Sequence, residues 1–121
     1  MQTTIRPEQI RSVPVLLYRN INLLNIGSVI KGEAGKLVAV ELRTTATAER
    51  FVKFYDKATQ PTFNDPVKIT FTITNAAPAM FILPADMPFV NGIGIRAVTG
   101  VADNNNTAPS ASSVFVNVFY I

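Results

Sequence analysis

Any catalysis by this chain has to come from carboxylates, serines and lysines, because histidine and cysteine are both absent. Their absence removes the commonest general base, the commonest transition-metal ligand and every thiolate or disulfide. Ser12, Ser28, Ser110, Ser112 and Ser113 stand in no Gly-x-Ser-x-Gly setting, so no nucleophile elbow is signalled. Glu41, Glu49, Asp56, Asp65, Asp86 and Asp103 have the chemistry for glycoside hydrolysis if two of them meet across a cleft. None lies in an aromatic-rich cleft pattern, and tryptophan, which commonly stacks on sugars, is missing. The residues therefore predict no enzyme and no cofactor.

Asp103-Asn104-Asn105-Asn106 is a cluster of side-chain oxygens, and calcium takes about six to eight oxygen ligands. The run carries one formal charge and lacks the glycine and terminal glutamate of an EF-hand loop. It predicts a surface loop whose side chains cap their own turns, and no metal site. Gly92-x-Gly94 is no dinucleotide fingerprint, since Ala97 stands where the third glycine belongs and no helix follows.

The net charge of +3 is spread from Arg6 to Arg96 without a run of lysines or arginines. Lys53, Tyr55 and Lys57 alternate onto one side of a strand and Phe54 onto the other, which predicts a solvated strand face and no nucleic-acid partner. No apolar run approaches the ~20 residues that span a bilayer, and Met1–Pro7 has no apolar segment of a secretory leader, so no membrane partner is expected. The 121 residues suit one domain. Only 16% of them are charged, against about 25% in ordinary globular domains. A surface so poor in charge predicts that part of it is covered by other copies or by a partner.

The elements that position these residues read as strands. Ile26–Ile30 ends at a Gly32–Gly35 turn signal. In Leu37–Thr44, Val38, Val40 and Leu42 share a face opposite Glu41 and Arg43. Arg50–Lys57 follows, then a breaker-rich loop from Ala58 to Pro66. Val67–Thr74 alternates throughout, Ala79–Leu83 is short, and Pro84–Pro88 predicts a bend before Phe89. Gly94, inside the alternation of Ile93, Ile95 and Ala97, predicts a bulge or a close backbone approach. Val114–Tyr120 is apolar on both faces, so it must be central in its sheet or covered by a partner. Seven to eight such strands predict an all-β fold, an antiparallel β-sandwich of jelly-roll type, over residues 26–121. Residues 1–25, broken by Pro7 and Pro14, predict an extended N-terminal arm, with a simple edge strand as the alternative.

Arg50–Pro61 (RFVKFYDKATQP) and Asn91–Pro109 (NGIGIRAVTGVADNNNTAP) resemble stretches of small β-sandwich virion proteins of tailed bacteriophages and prophages, including cyanophages. The likeness extends loosely from Ile26 to Tyr120. It implies a capsid cement or decoration protein located on the capsid surface of the virion, a homotrimer that binds the major capsid protein. A tail, baseplate, fibre or head-spike component is an alternative within the same class. A carbohydrate-binding module that uses a face around Tyr55 is one from another class. The apolar residues of the arm, Val15, Leu16, Leu17, Tyr18, Leu23 and Leu24, are candidates for the interface, with completion of the monomer core as the competing reading. Phe115 and Phe119 are further candidates, against ordinary core packing.

Overall fold

A computed structural model describes residues 13–75 and 77–121. Eight antiparallel strands form two four-stranded sheets, and no helix is present among the described residues. In chain order the strands are β1 (Leu16–Asn20), β2 (Ser28–Lys31), β3 (Gly35–Thr44), β4 (Arg50–Asp56), β5 (Ile69–Ile73), β6 (Ala79–Phe89), β7 (Ile93–Val98) and β8 (Val114–Tyr120). Sheet A runs β1-β8-β3-β6 and sheet B runs β2-β7-β4-β5. The first strand pairs the last, β2 pairs β7, β3 pairs β6 and β4 pairs β5. This is a long two-stranded ribbon rolled up on itself, the eight-stranded jelly roll.

Alternation decides which side chains fill the space between the sheets. Leu37, Val40 and Leu42 of β3 and Val114, Val116 and Val118 of β8 face Val52 and Phe54 of β4, Phe71 and Ile73 of β5, and Ile93, Ile95 and Ala97 of β7. Phe71 meets Phe54 edge-on at 5.7 Å within sheet B and Phe81 of β6 at 4.9 Å, so three rings link the two layers.

Two local expectations are revised and a third is met. The chain ahead of residue 26 is not wholly an arm apart from the sandwich. Leu16–Asn20 is an edge strand that pairs with β8 from Leu16↔Tyr120 to Asn20↔Val116. Leu23 is a core residue, 1% exposed. Residues 1–12 of the expected arm lie outside the described residues. Pro84–Pro88 does not end a strand, because β6 continues through it as a bulge. While β3 advances from Leu37 to Ala39, its partner runs from Met87 to Ile82, and Ala85 and Asp86 take positive φ. Pairing with β3 on both sides of the bulge keeps the ladder together, and prolines are tolerated because β6 is an edge. The two-sided apolar β8 lies between β1 and β3, so both its edges are hydrogen-bonded.

Candidate interaction surface

The two outer faces of the sandwich are treated differently by the chain. On sheet B, Phe51, Lys53 and Tyr55 stand opposite Val98, Arg96 and Gly94 of β7. The solvated face expected for Lys53 and Tyr55 is absent: both are 0% exposed, as is Arg96. The cause is loop cover. After β4 the chain folds back and seats buried Pro61 against two glycines. A Cβ on Gly94 would lie 3.0 Å from the Pro61 ring, and one on Gly27 would lie 2.3 Å from its carbonyl oxygen. Only residues without side chains leave that slot open, which accounts for the glycine inside β7 as a close approach. Lys57, expected beside Lys53, is half-buried at the loop's start and pairs with Asp65 at 2.8 Å.

The second cover is the loop after β7, and polar bonds hold it. The Lys53 ammonium donates to the Ala102 carbonyl. Arg96 donates from Nε to the Asn25 carbonyl at 2.7 Å, to the Tyr55 hydroxyl at 3.0 Å and to Asn106 Oδ1 at 2.5 Å. Asn105 Oδ1 accepts from the Gly100 and Thr107 amides at 3.1 and 3.2 Å. Asn105 thus caps its own turn as expected, and Asn106 is engaged with Arg96 and Asn25. Burial pushes the Lys53 ammonium below its ordinary pKa, with Asp103 opposing and Arg96 reinforcing. Burial likewise raises the Tyr55 phenol, against the hydrogen bond from Arg96. A sugar platform at Tyr55 would need an exposed ring, and this ring is enclosed.

Asp56 anchors the turn between β6 and β7. Its carboxylate accepts from the amides of Asn91 at 2.7 Å, Val90 at 3.0 Å and Gly92 at 3.3 Å. Burial works to raise its pKa, but these three amides, with Lys68 nearby, outweigh it and hold the carboxyl below the usual carboxylate range. Asp65 is lowered too, first by the Lys57 hydrogen bond and then by the Thr62 amide. A depressed folded pKa gives stability that is complete above the usual carboxylate range and is lost as the pH falls through the folded value. Asp56→Asn is therefore expected to cost about 1–2 kcal/mol at neutral pH, the net worth of amide bonds to a charged acceptor. The difference from the parent should shrink to nothing in acid, as read by thermal melts across the acid range. A gap that persists in acid would assign the loss to shape and not to charge.

Sheet A has no such cover among the described residues. Its register sets side chains in rows that cross all four strands. Leu17, Phe119, Ala39 and Ile82 form one row, and Arg19, Asn117, Glu41 and Met80 form the next. Arg43 and Phe115 are opposite each other in a third. Ile82 is 75% exposed, Leu17 54% and Met80 53%, while Phe115 and Phe119 are half-buried. Asn117 donates to Glu41 Oε1 at 2.8 Å, and the Arg43 guanidinium lies 5.2 Å from the centre of the Phe115 ring. A depression of about 380 Å³ opens over Phe115 between Arg19 and Ile21 on one side and Arg43 and Pro78 on the other.

The interface candidates divide accordingly. Leu17, Phe115 and Phe119 come together on this face. Val15 is exposed just ahead of β1 and Leu16 is exposed at the rim. Tyr18 points inward and packs on the core. Leu23 is corrected to a core residue because its side chain is enclosed between the sheets. Leu24 is half-buried, and its carbonyl accepts from the Ala97 amide of β7 at 2.9 Å. Sequence reasoning missed Arg19, Glu41, Met80 and Ile82. The alternation of Met80 and Ile82 with Phe81 and Leu83 was a usable signal for the last two. The surface is broad and apolar, which suits docking. Neither a scan of known protein families nor a search of curated proteins finds a match to this chain.

Proposed function

We propose that this chain is a structural assembly protein, and that it serves as a capsid cement or decoration subunit of a tailed bacteriophage. The observation that carries the assembly reading is the open outer face of sheet A, where Leu17, Met80, Ile82, Phe115 and Phe119 present apolar surface around few charges. Exposed patches of this kind mark sites of association. The capsid assignment rests on the resemblance carried by Arg50–Pro61 and Asn91–Pro109, and it fits the jelly roll, an architecture that recurs in viral shells.

The mechanism is passive. A homotrimer placed where major capsid subunits meet adds interface against internal pressure. Because it binds the assembled shell and not the free subunit, it stabilises the shell by mass action. Three weak contacts on one rigid body give firm attachment through avidity. The expected result is stoichiometric presence of this polypeptide in purified virions, and a higher melting temperature when the protein is added back to stripped shells. Absence from intact particles, together with no effect on stripped shells, would overturn the assignment.

A further inference from the structure

We infer that the outer face of sheet A is where copies of this chain meet one another, around an axis parallel to β8, with Arg19 of one copy paired to Glu41 of the next. The inference rests on the assembly reading and supplies the occupant of the part of the exposed face formed by β1, β8 and β3.

The argument is one of charge and register. β8 lies in the sheet between β1 and β3, and its outward residues are Phe115, Asn117 and Phe119. At the height of Asn117 the flank on the β1 side is Arg19, a cation, and the flank on the β3 side is Glu41, an anion. A rotation axis parallel to β8 and standing over it lays the β1 flank of each copy on the β3 flank of its neighbour. Arg19 then faces Glu41 at every contact, and this holds for a two-fold as for a three-fold axis. An unrelated partner would not require opposite charges at equal height on the two sides of one central strand.

The neighbouring row fits the same operation. Leu17 and Ala39 flank Phe119 at one height, so the bulky leucine of one copy falls on the small alanine of the next. The β8 phenylalanines, nearest the axis, pack against their own equivalents, and aromatic pairs of this kind add about 0.5–1.5 kcal/mol beyond their burial. The polar groups are also poised. Arg19 has no hydrogen bond or ion pair with any described residue. Asn117 holds Glu41 by Oε1 alone, which orients the carboxylate and leaves its second oxygen for a guanidinium. About a two-fold axis the faces stack about 10 Å apart as a further layer of the sandwich, and about a three-fold they close a prism whose corners bring β1 of one copy to β3 of the next.

The test uses the full-length chain and its association in solution, by sedimentation equilibrium and light scattering without any shell. The parent is expected to be an oligomer at roughly micromolar concentration. Arg19→Glu and Glu41→Arg should each weaken association about tenfold or more, by setting like charges against each other. The double variant should recover most of the loss. Thermal melts under dissociating dilution should show all four proteins folded, with Arg19→Glu like the parent and the two proteins lacking Glu41 lower by about the worth of the one bond from Asn117. A monomeric parent, single reversals without effect, or a double variant no better than either single would each overturn the inference. Single reversals that spare the oligomer but abolish attachment to shells would overturn it as well, while leaving the cement reading intact. An oligomer that obeys the charge pattern but never binds shells would do the opposite.

Discussion

A chain that begins at Ile26 is expected to be unfolded, measured against one that begins at Val13. The thirteen or so residues between these starts look dispensable by sequence, yet they close both layers. β1 supplies an entire edge of sheet A through its pairing with β8. Leu23 fills the core at 1% exposure, and its amide bonds the Val114 carbonyl at 3.2 Å. Leu24 then ties the same segment to β7 in the other sheet. Full burial of one leucine is worth about 1.5–3 kcal/mol, and the cavity left behind adds to the loss. With the ladder and the inward face of Tyr18 gone as well, the total is comparable to the about 5–15 kcal/mol that holds a domain together. The truncation also bares one edge of β8, a two-sided apolar strand that is a template for aggregation. Far-UV circular dichroism and urea titration of the two chains decide the matter. Cooperative unfolding of the shorter chain within about 1 kcal/mol of the longer would show that β1 and Leu23 are accessory.

How much of this was legible in the sequence depended on the kind of information each element carries. β3, β4, β5 and β8 announce themselves by alternation of branched and aromatic residues, and the jelly-roll class follows from their number and spacing. β1 did not, because Leu16-Leu17-Tyr18 is apolar on both sides and two prolines precede it. Whether such a stretch is an arm or an edge strand depends on whether β8 offers it a free edge, which is a tertiary fact. The burial of Lys53, Tyr55 and Arg96 was illegible for a related reason. Alternation names the face on which a lysine stands, but not whether a loop forty or more residues later will cover that face. Gly94 pointed to a close approach and received one, from Pro61. The outer face of sheet A was half visible. Phe115, Phe119 and Leu17 are read as interface candidates from their apolar character, and only strand register shows that they share a surface with Arg19, Glu41 and Ile82.

Arg96→Met is expected to cost about 3 kcal/mol, a fall in melting temperature of about 10 °C or more for a domain of this size. The guanidinium is fully enclosed and stands directly opposite Lys53 in the β4–β7 ladder, so two cations share one face with no carboxylate of the described residues in salt-bridge contact, and Asp103 acts on Lys53 only from a distance. An arrangement of that sort is tolerable only because neutral oxygens take up the charge: the Asn25 carbonyl, the Tyr55 hydroxyl and Asn106 Oδ1 around Arg96, and the Ala102 carbonyl at Lys53. Methionine fills similar volume without donors, so the Asn25 carbonyl and the Tyr55 hydroxyl lose the guanidinium, while Asn106 Oδ1 keeps the Asn25 side-chain amide at 3.1 Å. Asn106 lies on an exposed loop and can turn to water, whereas Tyr55 and the segment around Asn25 are held in place, so the loss is less than the sum of three charged hydrogen bonds. Arg96→Lys should recover only part of it, because an ammonium cannot reach three divergent acceptors as a planar fork does. Removing the neighbouring cation should also raise the Lys53 pKa, since Arg96 is one of the groups that depress it, and that readout separates loss of the bonds from mere loss of packing. Released from Asn106, residues 99–113 should become the site of early proteolysis while both sheets persist. A stability loss under about 1 kcal/mol, with the loop still protected, would mean that Pro61 and the glycine slot hold sheet B closed without the arginine.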